Sequence, residues 1–546
     1  MHRFEILRSN GLARLGKLYT PHGIVITPEL MPVYNPNIPL ISTDELIKDF
    51  NVKILITNAY IIFKTKDLRE QAEIGVHNLI EFKRTIMLDS GAYQAWIYGK
   101  NLDVTNKEII EFQQILKPDI ATILDIFTET DDYNVAKEGV IETINRAKEC
   151  IQIRDENNEI MWAAPIQGGK FMDLVRYSAI ELSKLDFDYH PIGTLAPALM
   201  SYNYRPVLDG IATAKLNMDR SRPLHAFSIG HPMFFALSVL FGSDLFDSSS
   251  YALYAKDNRY LTPLGTLMLN EMEEFPCSCP TCLSYDPKEL LKMDPDEKTK
   301  NLAKHNLYTC LNEMKNIREA IKRDKLWELV QSRVRSHPNL LDAYLYTLHK
   351  YRDNIEMHDP ITKRTAFFYV GLDSLSRPEI IRHKKWLFQR YTPPDAQFLI
   401  ILPDIYTRPI ESHHFKEWYD QILEFIANKV KIPVDKIHFC ILSPIFGPIP
   451  IELSDTYPYS QYLYPNIFYE DLSNHISTIL KEFIEKSHEK FNYIIILYPT
   501  SVITQLEIFN YPKIDLNILD KKILNMNKVF LVESIDSLKK LIQKLI

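Results

Sequence analysis

What this chain has little of narrows it first. Only six of its 546 residues are cysteine, too few and too scattered for a disulfide framework, which points to a reducing compartment. No apolar run reaches the ~18 to 20 residues that a bilayer crossing needs. The opening stretch MHRFEILRSNGLARLGKLY lacks the uninterrupted apolar core of a signal peptide. The expectation is a cytoplasmic protein with no membrane partner. No internal repeat or low-complexity tract breaks the first half, and strong charge of either sign is missing. The formal net charge of -7 excludes a generic nucleic-acid sponge but leaves room for a local basic groove. What remains, 46% hydrophobic and 24% charged residues, is a globular composition, and the length exceeds one ordinary core, so two or three domains are expected.

The strongest local signal is FPCSCPTC, which places Cys277, Cys279 and Cys282 close together and is answered 23 residues later by His305 in LAKHNLY. Three thiolates and one imidazole make a closed tetrahedral zinc site, with no position left for water, so the expected role is structural: one Zn²⁺ per chain clipping a loop to a helix. The alternative is three buried, inert free cysteines. After His305, the residues Leu307, Leu311, Met314, Ile317 and Ile321 recur at spacings of three and four and mark an amphipathic helix that runs through NIREAIKRDK.

From the start to about residue 270, short apolar runs alternate with longer amphipathic stretches, the pattern of parallel β/α units. The predicted strands are KILITNAYIIF (53–63), RTIMLDS (84–90), IATILDIF (120–127), IMWAAPIQ (160–167), HPIGTL (190–195), LHAFSIG (224–230) and DLFDSSS (244–250), with helices such as NKEIIEFQQIL (106–116) between them. Nearly all end in a small or polar residue: Asp89, Asp125, Gln167, Gly193, Gly230 and Asp247. In a (β/α)8 barrel the active site is built from the C-terminal strand ends, so three carboxylates and one carboxamide would converge on one mouth. An Asp after a strand also caps the next helix, so any one of them taken singly is ambiguous.

Five ordered motifs now reach a family. LDSGAYQ (88–94), PIQGG (165–169), FSIGHP (227–232), GSDLFDSSSYALYA (242–255) and the CSCPTC cluster with His305 resemble tRNA-guanine transglycosylases. TPELMPVYNPN (27–37), TNAYIIFKTKDLRE (57–70) and LYAKDNRYLT (253–262) resemble the archaeal branch, whose members exchange a D-arm guanine of tRNA, expected at position 15, for 7-cyano-7-deazaguanine in archaeosine synthesis. The resemblance implies a nucleophile at Asp247 and a general acid/base at Asp89. It implies recognition of the base by Asp125 and Gln167 with backbone contacts from Gly193 and Thr194, and a sandwich of the heterocycle between Tyr93 and Phe227. Lys256 and Arg259 are the expected phosphate contacts. IFTET (126–130) and the Ser228-Ile229 pair depart from the commonest archaeal pattern and could alter pocket width. Two alternatives from other classes are an archaeosine-synthase-like amidotransferase, whose expected lysine motif is missing, and a non-catalytic tRNA-binding subunit, against which the intact carboxylates argue.

The expected fold class is α/β: a TIM-type (β/α)8 barrel over residues 1–345 with a zinc subdomain at about 275–310, a connecting segment over 346–395, and a smaller α/β domain over 396–546. In the last region SPIFGPIPIELSDTYPYSQY (443–462) resembles the C-terminal half of archaeal transglycosylases and archaeosine synthases, and SIDSLKKLIQKLI (534–546) reads as a closing helix. Longer archaeal members end in an RNA-binding PUA domain that is not evident here. Expected partners are therefore tRNA, 7-cyano-7-deazaguanine, guanine as leaving base, a second copy in a homodimer, and a separate PUA-domain protein.

Overall fold

The computed structural model describes residues 3–93, 103–155, 159–404, 413–430, 432–465, 470–499, 501–503, 508–510 and 528–546. Gln94 of the LDSGAYQ motif lies outside them. The chain forms two compact units, Met1–Asn354 and Ile355–Ile546.

The first unit opens with an antiparallel sheet of β1 (Phe4–Asn10), β2 (Ala13–Thr20) and β3 (Gly23–Thr27). Eight parallel strands follow: β4 (Glu29–Pro32), β5 (Ile54–Asn58), β6 (Thr85–Asp89), β7 (Ile120–Thr122), β8 (Met161–Ala163), β9 (His190–Ile192), β10 (Leu224–Ala226) and β11 (Leu245–Ser248). They pair in two sheets, ordered β5-β6-β7-β8 and β4-β11-β10-β9. Parallel backbone bridges Val33–Ile56, Ala163–Tyr189 and Ile166–Ile192 connect the edges of the two sheets. Seven of the eight strands fall within the predicted runs. Glu29–Pro32, read from sequence only as part of a motif, is a further strand and lies beside β11. Inward-facing Met31, Ile54, Ile56, Met87, Ile120, Met161, Tyr189 and Leu245 pack with Phe4, Leu18 and Val25 of the N-terminal sheet in one buried cluster. Each such side chain contributes about 1.5–3 kcal/mol on burial.

Several strands are shorter than their apolar runs, for a definite reason. After Thr122 the β7 backbone bonds increasingly to side chains. The Leu124 N–H donates to Asn106 Oδ1 at 3.0 Å, the Leu124 carbonyl accepts from Arg146, and the Ile126 N–H donates to Thr143 Oγ1 at 3.0 Å. Gln113 exchanges two hydrogen bonds with the Thr122 backbone. Asn106 and Gln113 belong to the helix Asn106–Leu116, which starts on a Thr105–Glu108 capping box. Side chains thus satisfy backbone groups that a longer ladder would have used, and they fix where Asp125 stands. The predicted helix after the cysteines is Pro295–Lys322, with Leu307, Leu311, Met314, Ile317 and Ile321 buried.

In the second unit the strands Gly447–Pro450, Ile437–Ser443, Ala396–Pro403, Phe491–Leu497 and Val529–Val532 lie in that order in one sheet, parallel except for the first pair. Apolar clusters cover both faces, and the tail forms the helix Ile535–Leu545. Among the described residues, no helix is long and apolar enough to cross a membrane.

The N-terminal sheet is pinned to the strand that carries Asp247 by a buried ion cluster. Arg14 on β2 donates Nε–H to Asp244 Oδ1 at 3.0 Å and ion-pairs with Oδ2, while Lys215 Nζ reaches the same Oδ2 at 2.8 Å; all three side chains are at most 1% exposed. Removing one member of such a cluster leaves the other charges buried with less compensation. We expect Arg14→Ala to lower stability by about 3–5 kcal/mol, read from urea unfolding. A loss below about 1 kcal/mol, the scale of an exposed pair, would mean that the cluster is not what holds the sheet in place.

Candidate functional site

The C-terminal ends of the strands gather the carboxylates. Asp89 closes β6 and lies in register with Asn58, the last residue of β5. Asn58 has two tasks: its Oδ1 caps the helix Ala59–Lys64 by accepting from Ile61 N–H at 3.0 Å, which turns its Nδ2 toward Asp89 Oδ2 at 2.7 Å. Burial, followed by the charges of Asp125 and Asp247, pushes the Asp89 carboxyl up to about 7, against opposing hydrogen bonds from the Gly91 and Ser90 amides. Asp89 is therefore close enough to feel both Asp125 and Asp247.

Asp125, after β7, is buried, and burial pushes its carboxyl up to about 6 while a hydrogen bond from the Gln167 amide nitrogen opposes the shift. Gln167 is held in turn. Its backbone N–H donates to Ser178 Oγ at 3.1 Å, and its Oε1 accepts from Thr194 Oγ1 at 2.6 Å. A Cβ on Gly193 would sit 2.4 Å from the Gln167 amide nitrogen, so only glycine fits beside that side chain. The Gly193 N–H is already committed to the Ile166 carbonyl at 3.0 Å, and Thr194, at φ +61°, acts through its hydroxyl. The chain Thr194–Gln167–Asp125 is a prearranged set of donors and acceptors suited to the edge of a heterocycle.

Asp247, on β11, is 13% exposed. Its Oδ1 accepts from His225 Nε2 at 2.9 Å and from the Ser228 N–H at 2.9 Å, while Oδ2 has no hydrogen-bond partner among the described residues. One oxygen is anchored and the other is open. His225 is fully buried in the middle of β10, and its Nδ1 is without a partner among the described residues. The sequence reading missed both anchors, and it missed Asn58. The available signals were a histidine between the apolar Leu224 and Ala226, and a carboxamide at a strand end. Ser228, noted as a departure, adopts φ +63° to aim its amide at Asp247. Gly230 is confined by Ser248 Oγ, which a Cβ would meet at 1.7 Å.

Each of the two aromatic candidates packs against another ring. The Tyr93 ring meets Phe127, a residue of the IFTET stretch, edge-on with centroids 5.5 Å apart. Phe227 meets His225 edge-on at 4.6 Å. Lys256, the last residue of the helix that follows β11, and Arg259, three residues on, are exposed, with the Arg259 guanidinium 5.3 Å from the centre of the Tyr254 ring. The structure brings neither into contact with the carboxylates.

Cys277, Cys279, Cys282 and His305 come together with all ligand atoms within 4.8 Å of one another. His305 Nδ1 lies 3.5 Å from Cys279 Sγ and 3.4 Å from Cys282 Sγ, close to the ~3.5 Å separation of sulfur and nitrogen ligands around one tetrahedral zinc. The His305 Nε2–H is directed at the Leu261 carbonyl at 3.0 Å, which frees Nδ1 as the ligand. Tyr260 stacks on the imidazole at 3.6 Å and approaches Cys282 Sγ with its hydroxyl at 3.3 Å. These residues fit zinc.

With this geometry in hand, the comparisons are specific. The family model for queuine tRNA-ribosyltransferase matches residues 9–339. The chain is 42% identical over 492 residues to the tRNA-guanine(15) transglycosylase of Methanocaldococcus jannaschii, covering 88% of this chain and 71% of that protein. It is 41% identical over 512 residues to the enzyme of that name from Methanococcus aeolicus (91% and 75% covered), and 39% identical over 513 residues to that of Methanobrevibacter smithii (93% and 75%).

The raised Asp89 carboxyl makes a stability prediction with a definite sign. The folded chain keeps a proton that the unfolded chain, at the ordinary ~3.9, has released, so the Asp89 contribution to stability falls as pH rises from about 4 to about 7. Asp89→Asn, which removes the charge, should leave the unfolding midpoint near wild type at pH 4. At pH 8 it should raise stability by on the order of 2 kcal/mol. A gain that did not grow with pH would contradict the buried, like-charge environment.

Proposed function

Because the chain belongs to the tRNA-guanine transglycosylase family, we infer that it is a tRNA-ribosyltransferase that replaces guanine at position 15 of tRNA in archaeosine biosynthesis. The observation that carries the reading is the grouping of Asp89, Asp125 and Asp247 at the C-terminal strand ends, with one Asp247 oxygen anchored and the other left open. Two parallel four-stranded sheets joined at both edges by backbone bridges support a closed (β/α)8 barrel, the architecture in which strand ends form the active site.

In the proposed mechanism, Asp247 Oδ2 attacks the ribose anomeric carbon as the bond to guanine breaks, giving a covalent glycosyl-enzyme. Asp89, whose carboxyl is pushed up to about 7, gives its proton to the leaving guanine. It then takes one from the incoming 7-cyano-7-deazaguanine, whose ring nitrogen displaces Asp247. A group with a pKa near the working pH is suited to both tasks. Asp125 accepts from N–H groups of the base edge, the Gln167 amide donates to its carbonyl, and Gly193 and Thr194 keep Gln167 in place. Tyr93 and Phe227 supply apolar faces, and exposed Lys256 and Arg259 contact tRNA phosphate. Cys277, Cys279, Cys282 and His305 hold one structural zinc, which ties the segment after β11 to the helix Pro295–Lys322. The second unit is the C-terminal α/β domain of this branch. The family resemblance supports a homodimer and a cytoplasmic site of action.

Asp247→Asn should abolish the RNA–protein adduct seen on denaturing gels while the fold and most tRNA affinity persist; an adduct that survives assigns the nucleophile elsewhere. For wild type, kcat/KM for exchange of labelled guanine should rise through about pH 6 as Asp125 ionises and fall above about pH 7 as Asp89 loses its proton. A flat profile over that range would refute these assignments. Cys279→Ser should reduce the zinc content from about one per chain and lower the unfolding midpoint, and no change in either would remove the structural role.

A further inference from the structure

A second set of metal-type ligands lies at the opposite end of the strands. Asp119, fully buried immediately before β7, accepts from the His22 backbone N–H at 2.8 Å and from the Ile86 N–H at 2.8 Å. Its Oδ1 meets His22 Nδ1 at 3.1 Å and its Oδ2 meets His77 Nε2 at 2.9 Å. The two imidazoles stack with centroids 3.7 Å apart and planes 22° from parallel, so that both nitrogens face one carboxylate. The three donors come from three separate segments: the β2–β3 turn, the short helix Val76–Leu79 and the start of β7. Among the described residues no Lys or Arg pairs with Asp119; the imidazoles are its only ionisable partners.

The ligand atoms lie within 4.8 Å of one another, and the two nitrogen–oxygen separations are within a few tenths of an ångström of the roughly 3.3 Å edge of a tetrahedral nitrogen–oxygen zinc shell. The Asp119 carboxylate is already oriented by two backbone amides, the kind of outer support that metal ligands commonly have. His77 is nearly buried, but the His22 side chain is 41% exposed, which gives an ion a path in and leaves room for water as a remaining ligand. Two imidazoles and one carboxylate suit a first-row transition ion such as zinc, nickel or cobalt rather than calcium or magnesium.

We propose that His22, His77 and Asp119 form a second divalent transition-metal site, distinct from the three-cysteine site, that clamps the N-terminal hairpin to the start of the parallel strands. The Ile86 amide that holds Asp119 is three residues before Asp89 on the same strand, about 10 Å along it, so the ion would be structural and take no part at the carboxylate mouth. To coordinate, each nitrogen that faces Asp119 offers its lone pair, with the single N–H of each neutral imidazole carried on the other ring nitrogen, Nε2 of His22 and Nδ1 of His77.

The test uses the full-length protein with its cysteine-site zinc retained. Equilibrium dialysis against Zn²⁺ and against Co²⁺, followed by metal analysis, should show one further equivalent per chain. The added Co²⁺ should give visible absorption without the sulfur-to-cobalt charge transfer of a thiolate site, and Zn²⁺ should raise the unfolding midpoint. His22→Ala, at a partly exposed position, should keep the metal-free midpoint but bind that equivalent at least ten-fold more weakly, on the scale of losing metal-site support, and lose the zinc-induced shift; His77→Ala should lose the same equivalent. Failure to take up a further equivalent, or an equivalent that His22→Ala binds as tightly as wild type, overturns the proposal and leaves Asp119 a hydrogen-bonded staple.

Discussion

Like charge held close together at the ends of parallel strands is the constraint from which the rest of this structure follows. Parallel strands deliver their last residues to the same side, so polar strand ends on β6, β7 and β11 place Asp89, Asp125 and Asp247 near one another. Three ionised carboxylates in a buried setting would repel and lack solvation. The molecule answers by treating each differently. Asp247 is given two donors on one oxygen, Asp125 is given the Gln167 amide, and Asp89 is kept with a carboxyl raised to about 7. Burial first, and then the repulsion, cost stability but also produce a group able to give and take a proton near neutrality.

Holding that arrangement requires rigidity behind it, and the supports are polar rather than apolar. Gln113, Asn106 and Arg146 secure the irregular backbone that leads to Asp125. Asn58 uses one end of its amide as a helix cap and the other as a donor to Asp89. Arg14 and Lys215 neutralise Asp244, which lies three residues before Asp247. The two aspartates of DLFD thus have opposite surroundings. Asp244 faces two cations at the start of the strand and serves the fold, whereas among the described residues no Lys or Arg pairs with Asp247 at its end, and one of its oxygens stays open.

This division explains how far the sequence was legible. Periodicity found seven of the eight parallel strands, because buried strands between amphipathic helices leave a strong apolar signal, and it missed Glu29–Pro32, whose short run ELMP follows Pro28, begins on a charged residue and ends on Pro32. The strand-end rule and five motifs singled out Asp89, Asp125, Gln167 and Asp247 as candidates, and the cysteine spacing singled out four residues that the fold brings together. His225 and Asn58 escaped because each lies inside an apolar strand run and gains its meaning only from a neighbouring strand. The Ser228 amide escaped for another reason: a backbone donor has no letter in the sequence, and only the φ of +63° reveals its direction.

His225 shows why such supports matter to chemistry. A carboxylate nucleophile that rotates freely presents either oxygen to the sugar, and part of the binding energy is then spent on orienting it. Anchoring Oδ1 from two sides removes that freedom while adding no formal positive charge when the imidazole is neutral, so Oδ2 keeps its reactivity. A lysine or arginine in place of His225 would orient the carboxylate equally well, but it would stabilise the free anion more than the transition state, in which that charge is being lost to the sugar. A donor in a buried strand interior that carries no fixed charge meets both demands, and the Ser228 turn, at φ +63°, supplies the second donor from the backbone.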